Sequence, residues 1–249
     1  MATAMPAAGI RPRIAVRAAA EPAPQTSPNH GPRRGGVRPD LIVLHHTAMA
    51  SADAALARLC DPAAEVSAHY LIGERGRVWP LVPEAARAWH AGAGRWGAVS
   101  DVNSRSIGIE LVNRGDDPYP ASQIAALEDL MRDIMARWRI PPERVIAHSD
   151  MAPGRKTDPG RRFDWRGLAR AGLSVWSDAG SAGAADWPGF ERDAARFGYP
   201  VGDVGRDTLL AAVRLRFRPS ATGPLTAADC ARMADLAARF PVDRSAPSA

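Results

Sequence analysis

At 249 residues, with 46% hydrophobic and 24% charged content, the chain has the composition of a globular protein: one large domain, or a medium one with a small companion. No stretch reaches the roughly 18 apolar residues of a membrane helix, and two distant cysteines, Cys60 and Cys230, exclude a disulfide scaffold. The net charge of +5 sits entirely in residues 1–39, where six arginines face one acid, so the other 210 residues balance to zero.

The first 37 residues are rich in Ala, Pro and Arg without an apolar period, and read as a disordered basic leader. They carry no interleaved aromatics or nucleic-acid-binding motif, so no nucleic-acid partner is expected. Pro6, Arg11, Pro12, Arg13 and Arg17 interrupt every apolar run that could serve as a signal peptide. The expected compartment is therefore the cytoplasm, or the periplasm if an export signal lies upstream of the given start.

Leu41-Ile-Val-Leu-His45 is a continuous apolar run of the kind that forms a buried strand. Ser51 can cap a helix over residues 52–60, with Ala55, Leu56, Leu59 and Cys60 on its apolar face. Short strands follow at 69–72 and 78–82 around the turn-like Gly73–Gly76, and Ser106–Val112 alternates as another strand. From Ser122, the apolar residues Ile124, Leu127, Leu130, Met131, Ile134 and Met135 recur at helical spacing until Pro141-Pro142. Val145–His148 reads as a strand and residues 165–171 as a short helix. Strands interleaved with helices predict an α/β fold, a central mixed sheet flanked by helices. After a small-residue linker at 177–186, amphipathic segments near 187–197, 207–217 and 226–240 predict a small all-α unit spanning 187–242, with a disordered tail at 243–249.

Polar residues gather where the strands end. His45 and His46 close the first strand, Glu110 lies in the Gly108-Ile-Glu segment, His148 follows Val145-Ile-Ala, and Asp158 comes ten residues later in a Pro/Gly-bordered loop. Ligands collect at strand ends of α/β sheets. Two imidazoles and a carboxylate suit a tetrahedral zinc ion with one open position. Glu110 and Lys156 supply what a zinc hydrolase still needs, a base and a cation for a developing oxyanion. Lys156 is the only lysine beside thirty-one arginines, and a lysine differs from an arginine in being a compact point charge on a flexible stem.

In order along residues 38–176 stand L-I-V-L-H-H-T-A, S-A-H-Y-L-I, V-W-P-L-V-P-E, A-W-H-A-G, S-I-G-I-E-L-V-N-R-G and A-H-S-D-M-A-P-G-R-K-T-D-P-G. This series resembles the zinc-dependent N-acetylmuramoyl-L-alanine amidases, which share a fold with the peptidoglycan-recognition proteins. The resemblance implies one Zn2+ ion held by His45, His148 and Asp158, not by His46, and strand alternation agrees that only one of two adjacent histidines faces it. It implies Glu110 as general base and Lys156 as stabiliser of the tetrahedral intermediate. Trp89, His90 and Asn113 are expected to line the substrate groove. Peptidoglycan fragments or anhydromuropeptides become the expected partners of a monomeric enzyme that cleaves the amide between the lactyl group of muramic acid and L-alanine. The alternative is a non-catalytic muropeptide-binding protein. The landmarks A-R-F-G-Y and L-R-F-R-P in the C-terminal unit are similar to a peptidoglycan-binding module. The other reading of that unit is a helical cap packed on the catalytic block.

Overall fold

The computed structural model of the protein describes residues 25–181 and 183–243. Among them, seven strands form two sheets: β1 (His30–Pro32), β2 (Leu41–His46), β3 (Tyr70–Ile72), β4 (Val78–Pro80), β5 (Ala86–Ala88), β6 (Ser106–Leu111) and β7 (Val145–Ala147). The helices are α1 (Ala52–Cys60), α2 (Val102–Arg105), α3 (Ala121–Trp138), α4 (His148–Met151), α5 (Trp165–Arg170), α6 (Trp187–Phe197), α7 (Arg206–Phe217) and α8 (Ala227–Arg239). The larger sheet has the order β4-β3-β6-β2-β7; β2 runs parallel to both β6 and β7, β3 runs parallel to β6, and only β4 is antiparallel to its neighbour.

The apolar run of β2 has both faces covered, which explains why it does not alternate. Ile42 and Leu44 join Ile107, Ile109, Leu127, Met131 and Ile134 in a core between the sheet and α3. Leu41 and Val43 point the other way, into a core that includes Ile146, Phe190, Phe197, Leu209, Leu210 and Met233. Helix α1 covers the β3 side with Ala55, Leu56 and Leu59 against Leu71, Leu81 and Val112, and the Ser51 hydroxyl accepts from Ala54 N–H at its start. Helix α3 stops before the two prolines, at Arg139, which takes a left-handed φ of 57°.

The leader expectation fails for residues 25–37. Strand β1 pairs antiparallel with β5, and Ser27 and Asn29 are buried. Arg33 is 8% exposed and donates to the carbonyls of Glu84 (2.7 Å), Ser104 (2.7 Å) and Ser106 (3.0 Å). Counted as charge, Arg33 looks solvated; in the fold, carbonyl oxygens replace water around it. The remaining leader expectation, at residues 1–24, lies outside the described residues, as do 244–249 of the tail.

Helices α6 to α8 do not stand apart from the sheet, since their apolar residues complete the core behind Leu41, Val43 and Ile146. A buried polar knot crosses the same boundary. Arg216 of α7 donates to Asp150 Oδ2 (2.6 Å), Val145 O (3.0 Å) and Ser174 Oγ (3.1 Å), while the Tyr199 hydroxyl donates to Asp150 Oδ1 (2.7 Å). Both members of the Arg216–Asp150 pair are 0% exposed, and the guanidinium lies 4.3 Å from the Trp165 ring centroid. Asp150 Oδ2 also accepts from Ala147 N–H at 2.9 Å, so the knot grips the chain on both sides of His148.

Removing one partner from such a pair strands a buried charge. Arg216→Met should lower the unfolding free energy by about 3–5 kcal/mol, and Tyr199→Phe by about 1 kcal/mol, both measured by urea denaturation. An unchanged midpoint for Arg216→Met would contradict the clamp. A second anchor is Glu84, which accepts from Arg137 (2.8 Å, twice), from Tyr70 OH (2.7 Å) and from Trp138 Nε1. Burial would raise its pKa, but these donors outweigh burial and bring it from 4.5 to about 2. A depressed carboxylate pKa stabilises the fold above the unfolded-state value and loses that contribution as pH falls through the folded value. Glu84→Gln should therefore cost about 1–2 kcal/mol at neutral pH, discounted because Arg137 is half exposed. The gap from wild type should close between pH 4.5 and about 2.

Candidate metal centre and groove

The site forms where β2, β6 and β7 end side by side. In the parallel register His45 lies opposite Glu110, and Leu44 opposite Ala147, the residue before His148. His45 follows Leu41 and Val43 on one face of β2, and Glu110 follows Ser106 and Gly108 on the same face of β6. Beyond α4 the chain folds back. Lys156 N–H donates to Ala152 O (3.0 Å) and Ser149 N–H to Asp158 O (3.0 Å), which returns Asp158 to the side of His148.

Three polar atoms converge there. His45 Nδ1, His148 Nδ1 and Asp158 Oδ2 are each 2.9 Å from the other two, and all three residues are buried. Hydrogen bonding alone does not explain the cluster. His148 Nε2 is 2.8 Å from Ala91 O. A carbonyl only accepts, so the ring proton sits on Nε2 and His148 Nδ1 presents a lone pair. A nitrogen lone pair and a carboxylate oxygen held this close repel unless a cation joins them. Two imidazole nitrogens and one carboxylate oxygen are the donor set of a hydrolytic zinc centre, with one position left open. Among the described residues, no other His/Cys/Asp/Glu group converges in this way.

The electrostatics around the cluster fit that reading. Burial, followed by His148, lowers the His45 pKa to about 4, so the ring is neutral near pH 7. His90 is held well below the usual histidine range by burial, and then by His45 and His69. Burial, with Asp158 adding to it, raises the Glu110 carboxyl to about 8. Glu110 Oε2 is buried without a hydrogen-bond partner. Glu110 lines a cavity of about 430 Å3 whose wall also includes the three clustered residues, Lys156, Trp89 and His90.

Of the residues singled out by sequence, His45, His46, His148, Asp158, Glu110, Lys156, Trp89 and His90 meet at this cavity. His46 points off the cluster, with its Nδ1 accepting from Ala48 N–H (3.1 Å). Asn113 does not belong to the cavity wall. Its Oδ1 accepts from Gly115 N–H (2.7 Å) and its Nδ2 donates to Asp117 O (3.1 Å), so it ties a loop. His90 is at the wall, but both its ring nitrogens face protein, His45 Nε2 at 3.0 Å and Ser106 Oγ at 3.2 Å. Sequence reading passed over Ser106 and Arg155. The signal for Ser106 was its place two and four residues before Gly108 and Glu110 on one strand face. Arg155 donates to Ala91 O (2.7 Å) and Ala93 O, bracing the carbonyl that His148 uses.

The N-acetylmuramoyl-L-alanine amidase family model matches residues 35–161, half of the chain. AmiD of Escherichia coli K12, an N-acetylmuramoyl-L-alanine amidase, is 44% identical over 155 residues, covering 56% of this chain and 55% of AmiD. The chain thus spans about half the length of that relative. The 1,6-anhydro-N-acetylmuramyl-L-alanine amidase AmpD of Enterobacter cloacae is 34% identical over 156 residues, 83% of its own length. Among solved structures, E. coli AmiD in complex with an anhydro-N-acetylmuramic acid peptide superposes with a TM-score of 0.77 at 35% identity, covering 85% of this chain and 93% of that one. AmpDh3 of Pseudomonas aeruginosa with an anhydromuramic pentapeptide gives 0.75 at 32% identity, covering 83% and 94%.

If the cluster is a metal centre, His148→Ala should weaken zinc binding by more than about a hundred-fold, whereas Glu110→Gln should retain a full equivalent. Metal analysis after competition with a chelator of known affinity checks both.

Proposed function

The chain belongs to the N-acetylmuramoyl-L-alanine amidase family, and from that premise we propose that it is a zinc-dependent hydrolase of the amide joining the muramic acid lactyl group to L-alanine of the stem peptide. The supporting observation is the three-way convergence of His45 Nδ1, His148 Nδ1 and Asp158 Oδ2 at 2.9 Å, beside a buried and unpaired Glu110 oxygen. These three atoms would hold the zinc ion, which when bound supplies Lewis acidity at the scissile amide.

The chain's own residues account for the rest of the reaction. Glu110 takes a proton from the attacking water as oxygen bonds to the amide carbon, then hands it to the alanine nitrogen as the carbon–nitrogen bond breaks. Burial raises the Glu110 carboxyl above the usual carboxylate range, which makes its ionised form a stronger base than a solvated carboxylate. Lys156, on the cavity wall, stabilises the negative oxygen of the tetrahedral adduct. The products are a muramic acid sugar with a free lactyl carboxylate and a stem peptide with a free amino terminus. The relatives named for 1,6-anhydro sugars and the two structures holding anhydromuropeptides favour soluble wall fragments as the substrate, in turnover or recycling.

Mass spectrometry of an anhydromuramyl peptide incubated with the protein should show free stem peptide, abolished by chelator and restored by zinc. Binding without release would instead make the protein a muropeptide-binding one. Lys156→Ala should lower kcat by about a hundred- to a thousand-fold with zinc content unchanged. Lys156→Arg should not restore it, because a planar fork does not reproduce an ammonium.

A further inference from the structure

His90 stands at the cavity wall, yet its ring is committed on both sides, and the direction of that commitment is set by a serine. Ser106 is fully buried, and its hydroxyl donates its single proton to Val102 O at 2.6 Å. Towards His90 Nε2, at 3.2 Å, Ser106 Oγ therefore acts as acceptor, and Nε2 carries the ring hydrogen. His90 Nδ1 is then a lone pair that accepts from His45 Nε2–H across 3.0 Å. With its one proton on Nε2, His45 has a bare Nδ1 to offer at the metal position.

We propose that His90, oriented by Ser106, is a positioning residue that fixes the metal-binding tautomer of His45, a role that rests on the zinc reading above. An imidazole offers no geometry for this unless it is held, and the fold holds it in three ways. The N–H groups of His90 and Ala91 both donate to Asn103 Oδ1, at 3.0 and 2.8 Å. The ring meets His45 edge-on, with centroids 5.0 Å apart and planes at 79°. It lies over Gly108, where a Cβ would come within 2.4 Å of His90 Cγ. Ser106, Gly108 and Glu110 thus place the relay acceptor, the notch for the ring and the base along one strand face. The neighbouring Ala91 carbonyl sets the tautomer of His148. Two consecutive residues, keyed to Asn103, therefore orient both histidine ligands.

Partners that orient a ligating histidine typically contribute about 10- to 100-fold in metal affinity. His90→Ala should weaken zinc binding to the folded protein by about that factor, read by chelator competition. His90→Gln, whose amide can accept from His45 and donate to Ser106, should recover most of it. Ser106→Ala, which deletes one buried hydroxyl and leaves the ring in place, keeps the test open if His90→Ala misfolds. Nitrogen-15 shifts of the histidine rings should show His45 protonated on Nε2 in wild type, and a mixture of tautomers in Ser106→Ala. Unchanged zinc affinity and an unchanged His45 tautomer in these variants, with KM raised instead, would make His90 a substrate contact and overturn the inference while the zinc reading stands. Failure of the wild-type protein to bind zinc would overturn the zinc reading itself, and the inference with it.

Discussion

Parallel pairing of β2 with β6 and β7 sets where His45 and His148 meet, and the chain folding back after α4 brings Asp158 to them. Three strands ending at one level put His45 beside Glu110 and set His148 one residue past Ala147. Bringing unshielded donor atoms within 2.9 Å of each other is unfavourable in a buried place. A cation reverses the sign of that interaction, and the surrounding contacts keep the cluster formed for it. Each histidine has its far nitrogen spoken for, His148 by Ala91 O and His45 by His90.

The C-terminal helices belong to the same arrangement. Arg216 and Tyr199 reach across the core to Asp150, two residues from His148, and Arg216 also holds Val145 O on the strand leading into it. A buried pair of this kind is a poor source of net stability but a strict one of geometry, because neither charge tolerates losing the other. The helical unit thereby braces the chain on both sides of His148. Its packing behind β2 makes it part of one core with the sheet, whatever else its outer surface binds.

Much of this was legible in the sequence, for a physical reason. Ligands collect at the strand ends of α/β sheets, so His45, Glu110 and His148, each weak alone, stood out together. Lys156 stood out by composition alone. What remained hidden depends on contacts distant in sequence. Arg33 reads as leader charge until the carbonyls of Glu84, Ser104 and Ser106 surround it. Three-residue β1 and β5 have no period of their own and exist through their mutual pairing. The resemblance put Asn113 at the groove without fixing the direction of its side chain, which ties its own loop. For His90 the right position was legible but not the direction of its ring, which depends on a serine sixteen residues away.

The proposed amidase activity depends on a single cation at the His45–His148–Asp158 cluster. Titrating zinc into metal-free protein, while following release of stem peptide from a purified anhydromuramyl peptide, tests it most directly. Release should rise in proportion to added zinc and level off at one equivalent, with Asp158→Ala showing no such rise. Full release without metal, or saturation with zinc and no release, would rule out a metal-dependent amidase.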